Sequence, residues 1–203
     1  MDRIASNLQK RVGGALLALA VASCVFEASV ARGADQPAPE AVAPFAATPM
    51  SVVDEMLKLA SVGPDDFVVD LGSGDGRLVL TAVAKFGARG GFGVDIDPAL
   101  VDYSNRKAME MGVFDRAQFF VRDLFVTDVR QATVVTVYLL PIAMDRLQHK
   151  LQSELAPGTR VVSHDYPFRG WSAERIVALD VPEKADYTGR RSTAIYLYVV
   201  PRH

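Results

Sequence analysis

Residues 67–80 read Phe67-Val68-Val69-Asp70-Leu71-Gly72-Ser73-Gly74-Asp75-Gly76-Arg77-Leu78-Val79-Leu80. Phe67 to Leu71 has the composition of a buried strand, glycine then recurs at alternate positions, and an apolar run with helical spacing follows. A strand that enters a helix through glycines lets the backbone approach a ligand that any Cβ would hold off, and the helix N-terminus adds partial positive charge. Gly72, Gly74 and Gly76 give Gly-x-Gly-x-Gly, not the Gly-x-Gly-x-x-Gly of a dinucleotide turn. The turn also holds Asp70 and Asp75, and acids here suit a ligand with a cationic end better than a bare pyrophosphate.

Downstream, Gly91 to Asp97 reads as a second buried strand ending in two acids, Pro98 opens a helix to Met111 with Asp97 as its N-cap, and Ala117 to Val121 is a third strand. Thr133 to Leu140 is the most β-prone run, Pro141 to Leu155 a helix, and Arg160 to Ser163 another strand. Strands alternating with helices at this spacing predict an α/β fold: a Rossmann-like, mostly parallel sheet with helices on both faces. The tail breaks the alternation. Arg175 to Leu179 and Ala194 to Val200 are strand-like with no convincing helix between them, so they should pair antiparallel. Upstream, Thr48 reads as an N-cap and Pro49 as the first position of a lead helix bearing Val52, Val53, Met56, Leu57 and Ala60, which Gly63-Pro64 ends.

In an open α/β sheet a ligand lies across the carboxyl ends of the strands, and Asp70, Asp95 and Asp123 fall at or just past three such ends. Their positions let Asp70 lie near an ammonium, Asp95 accept from both hydroxyls of a ribose, and Asp123 accept from an adenine amino group. S-adenosylmethionine, with its ammonium and sulfonium groups, has those parts.

The 203 residues, half of them hydrophobic, allow one ordinary domain plus an appendage. Of the formal net charge of −2, residues 1–33 contribute +2 and the remainder −4, so the body is mildly acidic and no nucleic-acid partner is expected. One cysteine, Cys24, excludes an intramolecular disulfide, and His149, His164 and His203 lack metal-ligand spacing, so no metal is expected. Arg3, Lys10 and Arg11 precede an apolar run from Val12 to Phe26 and then small residues, the layout of a secretory signal. Residues 1–33 therefore read as a signal peptide or N-terminal anchor, 34–48 as an Ala/Pro-rich linker, and 49–203 as the catalytic or binding domain. Membrane attachment through residues 12–26, or through a lipidated Cys24 in Val21-Ala22-Ser23-Cys24, is the alternative to simple export, and a cytoplasmic location the alternative to both.

Asp70-x-Gly72-x-Gly74-x-Gly76, Gly93-Val94-Asp95 and Asp123-Leu124-Phe125 resemble the class I, seven-stranded S-adenosylmethionine-dependent methyltransferases. Pro44-Phe45 through Thr48, Tyr138-Leu139-Leu140-Pro141, Lys150-Leu151, Glu154-Leu155, Arg160-Val161 and Pro167-Phe168 with Trp171 are similar to the protein-lysine methyltransferases of the adenine nucleotide translocase and the ATP synthase c-ring protein, and to their bacterial relatives. The resemblance implies S-adenosyl-L-methionine as cofactor, seven strands with an antiparallel C-terminal one, and transfer to nitrogen with lysine the leading acceptor. It implies a cofactor site of Thr48, Asp70, Gly72, Ser73, Gly74, Asp75, Gly76, Asp95 and Asp123. The catalytic surface should follow the fourth strand at Tyr138 to Pro141, with Tyr138 able to orient the acceptor and His164-Asp165 the one His-acid pair near it. His164 is a candidate base or a hydrogen-bonded structural histidine, and Trp171 either walls an acceptor channel or covers the sheet edge. Competing readings are a small-molecule methyltransferase, an exported cofactor-binding or structural domain without turnover, and, more distantly, a nicotinamide oxidoreductase.

Overall fold

The computed structural model describes residues 46–201. The signal or anchor expected over 1–33, Cys24, and the linker up to residue 45 lie outside the described residues. Among the described residues, no helix is long and apolar enough to cross a membrane.

The strands are β1 (Phe67–Leu71), β2 (Gly90–Asp95), β3 (Ala117–Val121), β4 (Val134–Val137), β5 (Arg160–His164), β6 (Arg175–Asp180) and β7 (Ser192–Val199). They form one sheet in the order β3-β2-β1-β4-β5-β7-β6, parallel from β3 to β5 and antiparallel where β7 joins β5 and β6. The helices are α1 (Met50–Leu59), α2 (Arg77–Ala84), α3 (Pro98–Glu110), α4 (Pro141–Glu154) and the short α5 (Ala185–Thr188).

β1 has no side for water because successive residues serve two cores. Val68 packs with the inward residues of α1, α2 and α3, whereas Val69 and Leu71 pack with α4, Phe168 and Trp171. Helices thus cover both faces, as the alternating pattern predicts. The strand order reverses between β1 and β4, so the crevice opens above the carboxyl ends of those two strands.

Four local features have physical reasons. β4 stops at Val137, short of Leu140, because Val137 is the last residue with a partner on β1 and on β5. α2 begins at Arg77 because Gly76 precedes it with φ 79°, outside the helical region. Thr48 does not cap α1: Pro49 occupies the cap position without a side-chain hydrogen bond, and the buried Thr48 hydroxyl instead meets His164. The tail strands pair antiparallel as expected, but a 3₁₀ turn (Pro182–Lys184) and α5 separate them, and β7 inserts between β5 and β6. Trp171 packs against Phe168 and Tyr198, with ring centroids 5.8 and 5.3 Å away, covering the sheet rather than lining either cavity described below.

Candidate functional site

At the carboxyl end of β1 the chain must leave the sheet and enter α2 within five residues, and glycine makes that possible. Gly72, Gly74 and Gly76 all take positive φ (83°, 52° and 79°), where a side chain is strained. The turn is packed as tightly as it is bent. A Cβ on Gly76 would meet the Phe119 ring at 2.6 Å, and one on Gly93, beneath the turn, would meet Ser73 at 2.5 Å.

The backbone donors of this turn point inward. The amides of Gly72 and Ser73 both donate to the Val94 carbonyl at 2.9 Å, Gly76 donates to the Ser73 carbonyl, and Gly74 donates to Asp95 Oδ2 at 2.8 Å. A pyrophosphate cradle needs such amides aimed at the ligand. Here the acids Asp70, Asp75 and Asp95 stand in the wall of the crevice instead. The Ser73 Oγ is buried without a hydrogen-bond partner, and Asp70 is buried with Thr136 Oγ1 donating to it at 2.7 Å. Burial pushes the Asp70 carboxyl up to about 7, opposed by the Thr136 bond and reinforced by the neighbouring charges of Asp95 and Asp75. A cation brought beside this acid would favour its ionised form.

Thr48, Asp70, Gly72, Ser73, Gly74, Asp75, Asp95 and Tyr138 together line a cavity of about 240 Å³. Four expected site residues do not. Gly76 acts through packing on Phe119 and Ser104. Asp123 caps the 3₁₀ turn Leu124–Val126 by accepting from the Phe125 amide at 2.8 Å, and it is Leu124 that reaches the cavity. Pro141 is exposed at the first position of α4. His164 is 1% exposed and stands outside the lining.

Hydrogen-bond capacity fixes the state of His164. The single Thr193 hydroxyl proton goes to Asp165 Oδ1 at 2.6 Å, so His164 Nε2, 2.7 Å from Thr193 Oγ1, must donate to that oxygen. Burial lowers the imidazole to about 4, with Asp165 raising it and Lys184 lowering it further, so the ring is neutral and Nδ1 accepts from Thr48 Oγ1 at 3.3 Å. The ring lies 4.0 Å from that of Tyr138, between centroids, and serves as a packed, fully bonded support.

Several residues of the site were missed in the sequence. Arg77 donates through Nε to Asp75 Oδ1 at 2.8 Å, through Nη2 to Asp75 Oδ2, and through Nη1 to the Thr48 carbonyl at 2.6 Å. This fork ties the segment before α1 to the glycine turn. The Asp75–Arg77 spacing was a readable signal; the Thr48 contact had none. Ile96, Leu100, Leu124 and Leu139 give the cavity its apolar lining.

A profile of the ANTKMT methyltransferase domain matches residues 70–175. A protein-lysine N-methyltransferase of Saccharolobus islandicus (strain REY15A) is 38% identical over 160 residues, 79% of this chain and 95% of that protein. A Xenopus laevis lysine N-methyltransferase named for the c-ring protein of ATP synthase is 34% identical over 165 residues, 81% of this chain and 69% of the relative. Among solved structures, an RNA methyltransferase from Salinibacter ruber in complex with S-adenosyl-L-homocysteine superposes with a TM-score of 0.70 at 42% identity, covering 78% of this chain and 95% of that one.

Proposed function

This chain belongs to the ANTKMT methyltransferase domain family and is an S-adenosylmethionine-dependent methyltransferase, and we propose that it methylates the side-chain nitrogen of a protein lysine. One observation carries the cofactor chemistry: four amides of the glycine turn are committed within the protein, while the buried acid Asp70 stands in the cavity wall. That wall fits a zwitterionic, sulfonium-bearing ligand and not a pyrophosphate. Similarity to two proteins named as lysine N-methyltransferases supports the acceptor.

When bound, S-adenosylmethionine supplies a methyl group already activated for in-line displacement. The protein's task is to position the reactants and exclude water. Asp70 takes the amino-acid ammonium, and Asp95 takes the ribose hydroxyls with the lone pairs its bonds to the Gly74 and Asp97 amides leave over. Ile96, Leu100 and Leu124 would pack the base. Thr48, held by Arg77 and His164, covers the cavity from the side of α1. Tyr138 stands at the acceptor side. A lysine that arrives neutral requires no strong base, and His164, already bonded at both nitrogens, is not asked to be one.

Residues 1–33 are proposed to direct export, with membrane attachment through residues 12–26 or a lipidated Cys24 as the alternative. Fusing residues 1–34 to a reporter active only after export tests this; retention in the cytoplasm overturns it. The acceptor is tested by incubating the protein and methyl-labelled S-adenosylmethionine with membrane and soluble lysates, followed by digestion and amino-acid analysis. Label in methyl-lysine is the expected result, and label confined to RNA or to small molecules overturns the lysine reading.

A further inference from the structure

Tyr138 lines two cavities. The second is a cleft of about 620 Å³ whose walls include Tyr138, Asp165, Tyr166, Lys184, Arg190 and Thr193. We infer that this cleft is the subsite for the acceptor's primary amine, received between the Tyr138 hydroxyl and the Asp165 carboxylate; the inference rests on the lysine reading above.

Asp165 follows β5 directly with φ 62°, a left-handed conformation that aspartate tolerates at modest cost, and its amide donates to the Ala194 carbonyl of β7 at 2.7 Å. The backbone is therefore held in an uncommon conformation by the neighbouring strand, and the carboxylate is held just as firmly. Oδ2 accepts from Lys184 Nζ at 2.5 Å and from the Tyr138 hydroxyl at 3.2 Å, while Oδ1 accepts from the Thr193 hydroxyl at 2.6 Å. Lys184, itself buried, also donates to Thr193 Oγ1 at 3.0 Å and to the Ser192 carbonyl at 3.3 Å.

The two hydroxyl protons of this cluster are thus directed at the carboxylate. Tyr138 and Thr193 have given theirs to Asp165, and Asp165 has none to give. Whatever else meets the Tyr138 oxygen or the Asp165 carboxylate must be a donor. A neutral primary amine has two N–H bonds and one lone pair. Donating to Tyr138 Oη and to Asp165 Oδ1 would use both N–H bonds and leave the lone pair for the methyl carbon. In the transfer the nitrogen lone pair forms the new C–N bond, the C–S pair returns to sulfur to give a thioether, and the surplus proton on nitrogen leaves to water. Tyr138 and Asp165 are then catalytic residues, and Lys184 is a positioning residue that acts through Asp165.

The test uses two aza-analogues of S-adenosylmethionine, with nitrogen replacing the sulfonium and either a 2-aminoethyl or an ethyl group replacing the methyl. Affinities are measured by calorimetry at about pH 9, where part of a primary amine is neutral. Wild-type protein should bind the aminoethyl analogue about tenfold more tightly than the ethyl analogue. Tyr138→Phe and Asp165→Asn should each remove most of that preference, read within each variant as the ratio of the two analogues' affinities, so that any change common to both at the cofactor cavity cancels. Equal binding of the two analogues by wild type overturns the subsite, as does a preference that survives Tyr138→Phe, a substitution that removes one half-buried hydroxyl and should leave the fold intact even if Asp165→Asn does not. The outcomes separate the two readings: methyl-lysine in the lysate assay without an aminoethyl preference removes only the subsite, whereas the preference without methyl-lysine removes only the protein acceptor.

Discussion

Two acids stand on either side of Tyr138, and the chain treats them in opposite ways. Asp70, at the end of β1, is 2% exposed; burial drives its carboxyl up to about 7, and the Thr136 hydrogen bond does not offset that. Burial would raise Asp165 as well, but the hydrogen bonds from Lys184 and Thr193 outweigh it and hold the carboxyl below its usual range. The difference is where the counter-charge comes from. Asp165 has its cation built into the fold, so it is a fixed, permanently ionised acceptor. Among the described residues no cation pairs with Asp70, so a cationic group that binds beside it would favour its ionised form.

Removing the built-in cation should give the largest effect. Lys184→Met leaves Asp165 ionised and half-buried without its partner, and the expected loss is about 3–5 kcal/mol of stability, read from the urea unfolding midpoint. Lys184→Met combined with Asp165→Asn should recover most of it, because no uncompensated charge remains. The sign with pH follows from the depressed carboxyl: its contribution is present above the unfolded-state value of about 3.9 and is lost as pH falls through the lower folded-state value. Wild type and Lys184→Met should therefore converge in acid. A gap that persists there would assign the loss to packing instead.

The same operation on the other acid should have the opposite sign. Asp70 titrates higher when folded than when unfolded, so its own contribution to the stability of the ligand-free protein is fully present below about pH 4 and is lost as pH rises through about 7. Asp70→Asn removes that decline and should stabilise the ligand-free protein by roughly 2–4 kcal/mol at about pH 8. It should at the same time weaken S-adenosylmethionine binding by about 2–3 kcal/mol, the worth of a hydrogen bond to a charged group. Stability and affinity moving in opposite directions identifies an acid kept for its ligand; parallel loss of both would mark Asp70 as structural. Asp95→Ala should weaken binding by a similar amount, about 2–3 kcal/mol, but without the gain in stability, because Asp95 also accepts from the Gly74 amide at 2.8 Å.

The cofactor half of this comparison was readable in the sequence and the acceptor half largely was not. Asp70, the alternate glycines and Asp95 are signals of spacing: each sits at a fixed offset from a strand end, and the strands announce themselves by apolar runs. Gly76 was visible as a glycine, but its reason is Phe119, 43 residues away in the chain and brought beneath the turn only by the β2 and β3 pairing. Thr48 before Pro49 is locally indistinguishable from a helix cap; its contact with His164 spans 116 residues and exists only once α1 lies beside β5. Lys184 lies 19 residues from Asp165 in a tail without periodicity, so nothing local selected it. The position of β7 did leave a trace. Ser192–Val199 is apolar enough to be buried between neighbours, whereas Arg175–Asp180 ends in charges and alternates with solvent, as an edge strand does.

The smallest effect is the sharpest discriminator between the two acids. At pH 7 an acid titrating at about 7 is protonated in about half of the molecules, and a cationic group brought beside it lowers its pKa and releases that proton. Binding of S-adenosylmethionine should therefore release about half a proton per site at pH 7. The release is read calorimetrically, as the slope of the observed binding enthalpy against the ionisation enthalpy of the buffer. It should vanish at about pH 9, where Asp70 is already ionised, and in Asp70→Asn. Asp165, ionised with or without ligand, contributes nothing at either pH. Comparing cofactor with product then says which cation Asp70 meets. S-adenosylhomocysteine keeps the ammonium and lacks the sulfonium, so equal release by both assigns Asp70 to the amino-acid end, and release by S-adenosylmethionine alone assigns it to sulfur. If wild type releases no proton with either ligand, no cation reaches Asp70 and the ammonium assignment is wrong.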